Sequence, residues 1–132
     1  VTDGGATLVV AETFRARLTA FDIGPDGALG NRRMWADLSE TGAVPDGICL
    51  DAEGSIWVAD PLAPRCLRVA VGGTVLESAE LSQNCFACAL GGADGRTLFA
   101  LTAATSNAEQ AAAEPTGRVE AVRVSVPSGG SP

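Results

Sequence analysis

The chain has 132 residues, of which 46% are hydrophobic and 19% charged, and its formal net charge is −7. This composition excludes a disordered chain, and no apolar run reaches the length of about 18 residues that a membrane-spanning helix needs. An acidic balance with nine arginines and no lysine argues against a nucleic-acid surface and favours a neutral, cationic or metal-linked ligand. We therefore expect a globular protein that binds a small molecule, with neither nucleic acid nor membrane as a partner.

Three short β-rich runs recur along the chain, and each follows a turn that contains glycine. The runs span residues 7–12, 55–60 and 97–102. Their corresponding positions, Leu8, Ile56 and Leu98, are 48 and 42 residues apart. A period in the forties built from short strands is typical of the four-stranded blades of a β-propeller. An alternating run that favours a half-buried antiparallel strand follows each of them, at residues 17–23, 65–71 and 118–124.

The remaining predicted strands belong to three blade units, two of which stay incomplete. Outer strands are predicted at residues 33–38 and 74–81, and inner strands at residues 47–50 and 85–90. The chain thus divides into blade units at about 1–40, 44–82 and 84–126, followed by a flexible tail at 127–132. The first unit lacks its inner strand and the last lacks its outer strand. Because a propeller closes into a ring, the sequence predicts an all-β fold that is about half of one, with unpaired edges at both ends.

One link between strands is unusually long. Residues 102–117 are rich in alanine and glutamate, and they predict one or two helical turns before Pro115. Links of this length in a compact domain are often lids or disordered segments.

Four cysteines, Cys49, Cys66, Cys85 and Cys88, permit more than one interpretation. The spacing of Cys85 and Cys88 would suit half a zinc site or a redox pair. There is no second such pair and no histidine, so the usual tetrahedral zinc ligands are lacking. We interpret the four as reduced core residues, and we expect a cytoplasmic location.

The chain resembles the C-terminal half of the senescence-marker-protein, regucalcin and gluconolactonase family in the runs PDGICLDAEGSIWVADP, VVAETFRARLTAFDIGPDGALGNRRMWADL and CFACALGGADGRTLFALTA. The resemblance covers residues 7–126. It implies a six-bladed β-propeller that holds a divalent metal, usually calcium, at the top of its central channel. It also implies hydrolysis of sugar lactones or related lactones. Some relatives hydrolyse organophosphates.

The same resemblance implies an incomplete metal site. The family's metal is held by a glutamate near the start of the full-length chain, by an asparagine in a Pro-Asn-Gly turn and by an aspartate in a Pro-Asp-Gly turn. Asp46 matches the last of these, and the other two have no counterpart here. Asp46 would then be both a metal ligand and the candidate general base. The alternative is that Asp46 only caps a turn, since aspartate before glycine is common in turns.

Further pocket candidates follow from the alternation of antiparallel strands. If Asp46 precedes an inner strand, then the links between second and third strands lie on the same face of the propeller. These links contain Glu12, Thr13, Asp60 and residues 102–117. Cys85 and Phe86 occupy the position equivalent to Asp46 in the next unit. For Glu12 and Asp60, the alternative is a solvated strand end paired with a neighbouring arginine, namely Arg15 or Arg17 for the first and Arg65 for the second.

Three functional hypotheses remain. The first is the C-terminal half of a metal-dependent lactonase, inactive alone because two metal ligands are absent, whose partner is the missing N-terminal half. The second is a non-catalytic half-propeller, two copies of which close a ring and serve as a binding or scaffold module. The third, a small disulfide or zinc protein, is nearly excluded by the lack of histidine.

Overall fold

The structure is a computed structural model that describes residues 1–129, apart from the side chain of Asp3. Ten strands in three antiparallel sheets occupy about half of these residues. The first sheet contains β1 (Thr7–Glu12), β2 (Arg17–Ile23) and β3 (Leu29–Asp37). The second contains β4 (Ile48–Leu50), β5 (Ile56–Asp60), β6 (Arg65–Val69) and β7 (Val75–Glu80). The third contains β8 (Asn84–Gly91), β9 (Thr97–Ala103) and β10 (Arg118–Arg123). Helical segments are short: three 3-10 turns at Asp3–Gly5, Thr13–Arg15 and Ser39–Thr41, and the helix α1 at Ala108–Ala113.

Each sheet is a meander in which consecutive strands are neighbours. Only the second sheet has four strands among the described residues, and its order is β4-β5-β6-β7. The first sheet lacks a strand before β1, and the third lacks one after β10, within the same residues. The predicted partial propeller, with one complete blade between two incomplete ones, is confirmed.

The second sheet is covered on both faces, which follows from the alternation of side chains along β5. Ile56 and Val58 pack towards the first sheet, in a core that also contains Leu18. Trp57 and Ala59 point the other way and pack towards the third sheet. Because both faces are covered, every residue of β5 is buried, and its sequence reads as one apolar run that ends on a carboxylate.

The strand β3 begins at Leu29, four residues earlier than the predicted start at residue 33. Two side chains of this polar stretch bind the neighbouring strand. Asn31 Nδ2 and Arg33 Nη1 donate to the carboxylate of Asp22, at 2.9 and 2.6 Å. Cross-strand polar pairs of this kind extend the sheet where the apolar alternation is absent.

The long link between β9 and β10 contains α1, which confirms the predicted helical turns before Pro115. Asn107 caps this helix, since its Oδ1 accepts from the backbone N–H of Gln110 at 3.0 Å. Thr116 Oγ1 accepts from the N–H of Ala104 at 3.0 Å and so fastens the two ends of the link together. Within residues 1–129, no helix is long and apolar enough to cross a membrane.

The first residues of the predicted flexible tail contact the complete blade. The carbonyl of Pro127 accepts from Ala52 N at 2.8 Å, and Gly129 N donates to Leu50 O at 3.1 Å. Ser128 N donates to Gly95 O at 2.9 Å. Residues 127–129 therefore bridge the β4–β5 turn of the second sheet and the β8–β9 turn of the third sheet. The rest of the predicted tail, 130–132, lies outside the described residues.

Candidate functional site

Asp46 lies in the link that enters the inner strand of the complete blade. Its backbone N–H donates to Ala59 O at 3.1 Å, and the next residue, Gly47, donates to Phe86 O at 3.0 Å. The preceding residue, Pro45, is fully buried. The Asp46 side chain is exposed, and it has no hydrogen-bond or ion-pair partner within residues 1–129. The backbone is thus fixed on both sides of a carboxylate that remains available to a ligand.

Gly47 allows the inner strands of two blades to approach each other. A Cβ atom built on it would lie 2.5 Å from the Cα of Ala87, which real Cβ contacts do not reach. Gly47 also accepts from Ala59 N at 2.9 Å, so its backbone contacts β5 and β8 together. The Pro-Asp-Gly motif therefore has a packing requirement at its glycine, separate from any role of its aspartate.

Asp60 is fully buried at the end of β5. Its Oδ2 accepts from Arg65 Nε at 3.0 Å, and its Oδ1 accepts from the N–H of Leu62 at 3.1 Å. Arg65 in turn donates from Nη2 to the carbonyl of Thr41 at 3.3 Å. The predicted pairing with Arg65 is therefore observed, but the strand end is buried and not solvated, and Asp60 closes the β5–β6 turn.

Glu12 also has several partners. Thr19 Oγ1, Arg32 Nη2 and Arg17 Nη2 donate to its carboxylate at 2.5, 2.6 and 2.8 Å. These contacts, the bond from Thr19 first among them, lower the pKa of Glu12 from 4.5 to about 2. Thr13 begins the 3-10 turn that follows, and its carbonyl accepts from Ala16 N at 3.2 Å. No hydrogen bond joins Glu12 or Thr13 to Asp46 in the part of the chain that the structure describes.

Cys85 and Phe86 lie within β8 rather than in the link before it, because this strand begins at Asn84. Cys85 is fully buried between the second and third sheets. Phe86 occupies an irregularity in the pairing of β8 with β9 and is half-buried. Its backbone carbonyl contacts the candidate site through the bond from Gly47.

The described residues do not fit a complete calcium site. Calcium takes about six to eight oxygen ligands, and Asp46 offers one carboxylate. Residues 1–129 contain no group of three or more histidine, cysteine, aspartate or glutamate side chains arranged to hold a metal ion. Any metal held by Asp46 would therefore need its other ligands from main-chain carbonyls, amide side chains, water or a part of the protein outside residues 1–129.

Sequence reasoning missed two groupings, because both depend on contacts across or between sheets. The buried Arg68 binds Asp51 through Nε at 2.6 Å and also pairs with Glu53 and Glu77. The four cysteines converge between the second and third sheets, where Cys49 and Cys88 line a cavity of about 290 Å³. Asp46 is not among the residues that line this cavity.

Comparison with known proteins places this arrangement in a family. A family model described as "SMP-30/Gluconolactonase/LRE-like region" matches residues 1–104. The chain belongs to this family. It is 34% identical to a 6-deoxy-6-sulfogluconolactonase of Pseudomonas putida over 120 residues, which are 87% of the chain and 41% of that relative. It is also 34% identical to a regucalcin of Danio rerio over 79 residues, which are 58% of the chain and 27% of that relative.

Solved structures agree on the fold. A luciferin-regenerating enzyme superposes with a TM-score of 0.80 at 18% identity, over 96% of the chain and 44% of that protein. A calcium-binding protein, regucalcin, from Agrobacterium tumefaciens gives 0.78 at 21% identity, over 96% of the chain and 45% of that protein. The family resemblance predicted from the sequence is confirmed. The chain spans less than half the length of these relatives of the family.

Proposed function

We propose that this chain supplies one carboxylate, that of Asp46, to a divalent-metal lactonase site whose other ligands lie outside the 132 residues. The observation that carries the proposal is the contrast between Asp46 and two other carboxylates that were predicted on the same face of the propeller. Glu12 and Asp60 are bound by arginines, whereas Asp46 is exposed without a partner among residues 1–129. A fixed backbone with a free carboxylate favours a ligand role over a structural one.

The proposed substrate is a sugar lactone or a related lactone. One relative of this family is a 6-deoxy-6-sulfogluconolactonase, and another is a calcium-binding regucalcin, which supports calcium as the metal. Lactone hydrolysis adds water to an ester carbonyl and breaks the ring C–O bond, so a base must take a proton from the water. Asp46 would accept that proton, because its carboxylate is exposed and makes no competing hydrogen bond among the described residues.

We further propose that the 132-residue chain alone is inactive and that the complete protein works in the cytoplasm. One carboxylate does not hold a calcium ion tightly. The four cysteines are free thiols, which is consistent with a reducing compartment. The remaining blades would supply both the missing ligands and most of the substrate wall.

The first test compares the chain alone with a longer protein that carries the remaining blades. We expect the purified chain to show no calcium-dependent hydrolysis of gluconolactone and no tight calcium binding by calorimetry. Robust calcium-dependent turnover by the chain alone would contradict the proposed division of the site.

The second test replaces the proposed ligand in the longer protein. Asp46→Asn should remove hydrolysis and weaken calcium binding. The matched control is Asp26→Asn, since Asp26 is an exposed aspartate in the turn between β2 and β3, at the opposite end of the strands. Equal activity in the two variants would exclude Asp46 from the site.

A self-associating half-propeller is the second candidate, favoured by the outer face of the third sheet. Leu101 is 48% exposed and Val119 is 70% exposed, and the two are cross-strand partners in β9 and β10. A second copy would cover this face. Sedimentation equilibrium tests the idea, since a monomer has a mass of 13.3 kDa. A dimer that Val119→Glu dissociates would support it, and a monomer at all concentrations would exclude it.

A further inference from the structure

Four thiols meet where the second and third sheets pack together, although their residues are far apart in sequence. Cys66 Sγ lies 3.3 Å from Cys85 Sγ, and Cys49 Sγ lies 3.8 Å from Cys88 Sγ. In both pairs one residue belongs to the second sheet and the other to β8. A disulfide formed by either pair would therefore join two blades covalently.

The two pairs differ in their access to small solutes. Cys66 and Cys85 have no exposed surface. Cys49 is half-buried, and it lines the cavity of about 290 Å³ together with Cys88. A cavity of this volume has room for an oxidant the size of hydrogen peroxide, since one water molecule occupies only about 30 Å³ in liquid water.

We propose that Cys49 and Cys88 form a peroxide-oxidisable dithiol, a modification site that cross-links the inner strands β4 and β8. The close approach of these strands makes the bond geometrically accessible. Gly47 N donates to Phe86 O at 3.0 Å, and no Cβ would fit between Gly47 and Ala87. The sulfurs of Cys49 and Cys88 already lie 3.8 Å apart, so they must approach by less than 2 Å to reach the S–S length of about 2.05 Å. This inference does not depend on the proposed lactonase function.

The reaction needs only a hydroperoxide, and hydrogen peroxide is the simplest. The thiolate of Cys49 attacks one peroxide oxygen, the O–O bond breaks and hydroxide leaves, which gives a sulfenic acid. Cys88 then gives up its thiol proton as its sulfur attacks Cys49 Sγ, the S–O bond breaks and a second hydroxide leaves. The two hydroxides combine with the two thiol protons. In total, two thiols and one peroxide give one disulfide and two waters, and two electrons pass from sulfur to oxygen.

The order of the two steps follows from the surroundings of each thiol. Cys88 is the more buried, and its Sγ lies 3.6 Å from the carbonyls of Gly47 and Trp57. Its hydrogen bond with Cys49, together with contacts to Cys66 and burial, raises the pKa of Cys88 well above its usual value. Because Cys49 is the more exposed of the two thiols that line the cavity, it meets the peroxide first, and Cys88 resolves the sulfenic acid.

Peptide mapping can identify the bond, because the chain contains arginine and no lysine. Trypsin places Cys49 in peptide 34–65, Cys66 in peptide 66–68, and both Cys85 and Cys88 in peptide 69–96. After stoichiometric peroxide and blocking of free thiols, we expect peptide 34–65 to be disulfide-linked to 69–96. Three results would overturn the proposal: a link only between 66–68 and 69–96, oxidation of Cys49 to sulfinic acid without any link, or four unreacted thiols.

Two matched variants locate the partner within peptide 69–96. In Cys88→Ala the link should disappear and Cys49 should stop at the sulfenic acid, which dimedone labels. In Cys85→Ala, a change of the same kind in the same strand, the link to peptide 34–65 should remain. The opposite pattern would make Cys85 the partner and overturn the assignment. Circular dichroism before oxidation checks that both variants are folded, and the wild-type map tests the proposal without either.

Discussion

Two aspartates flank the inner strand β4, and their surroundings are opposite. Asp46, before the strand, is exposed and has no side-chain partner among residues 1–129. Asp51, after the strand, is 1% exposed and binds Arg68 Nε at 2.6 Å. Its Oδ1 also accepts from the backbone N–H groups of Glu53 and Ser55 at 2.8 and 3.0 Å. One end of the strand thus uses its carboxylate for the fold, and the other leaves its carboxylate free.

The comparison shows how a site can be distinguished from a structural charge in the same blade. A buried carboxylate must be paired, because burial of an unpaired charge costs several kcal/mol. A fully paired carboxylate cannot also bind a metal without losing those partners. Exposure on a fixed backbone is therefore the informative property of Asp46, and the following predictions test whether the two aspartates really differ in this way.

The largest effect is expected at the buried aspartate. Asp51→Ala leaves Arg68, whose side chain is 7% exposed, without its closest partner, although Glu53 and Glu77 remain. We expect the free energy of unfolding to fall by about 3 kcal/mol or more. Urea denaturation of this variant and of Asp46→Ala measures the difference. Equal losses in the two variants would remove the contrast between the ends of β4.

The second effect concerns the glycine beside Asp46. Gly47→Ala introduces a Cβ 2.5 Å from Ala87 Cα, so β4 and β8 must separate. We expect a loss of about 1–3 kcal/mol in the free energy of unfolding, as for other overpacked positions. Gly30→Ala is the control, because its Cβ would meet nothing within 4 Å and its φ is not positive. If the two variants were equally stable, the close approach of the two inner strands would be contradicted.

The order of the strands followed from the sequence, and the partners of the side chains did not. The repeated runs around Leu8, Ile56 and Leu98 identified the second strand of each blade, since β1, β5 and β9 occupy those positions. Period-two alternation is a local property, so a single sequence shows it. The start of β3 was missed because polar pairs with Asp22, rather than apolar alternation, extend that strand.

The candidate site shows the same division. The motif around Asp46 could be identified from the sequence, and the placement of Glu12 and Asp60 at strand ends agrees with the structure. For their arginine partners, the sequence indicated only arginines close to them in the chain. Arg32, which also binds Glu12, lies 20 residues away and was not identified. The convergence of the four cysteines depends on packing between sheets, which periodicity does not report.

The third prediction uses Glu12 as a surface counterpart of Asp51. Its pKa in the folded chain, about 2, lies below the usual 4.5, so the ionised form stabilises the fold. This contribution is fully present above about pH 4.5 and is lost as the pH falls towards 2. We expect Glu12→Gln to be less stable than the wild type at pH 6 and equally stable near pH 2. Glu109→Gln, at an exposed position in the first turn of α1, should show a much smaller difference from the wild type at pH 6 than Glu12→Gln does. A stability difference for Glu12→Gln that persisted at pH 2 would show that the carboxylate charge is not its cause.

The smallest change in stability is expected at Asp46. Because its carboxylate has no partner within the described residues, Asp46→Asn should alter the free energy of unfolding by no more than about 0.5 kcal/mol, the range of ordinary surface substitutions. Urea denaturation at pH 7 in a chelating buffer measures this without any contribution from bound metal. A loss above about 1 kcal/mol would reveal a structural partner and make Asp46 resemble Asp51. Neutrality here, together with the loss of hydrolysis proposed for the same substitution in the longer protein, would separate function from folding at this residue.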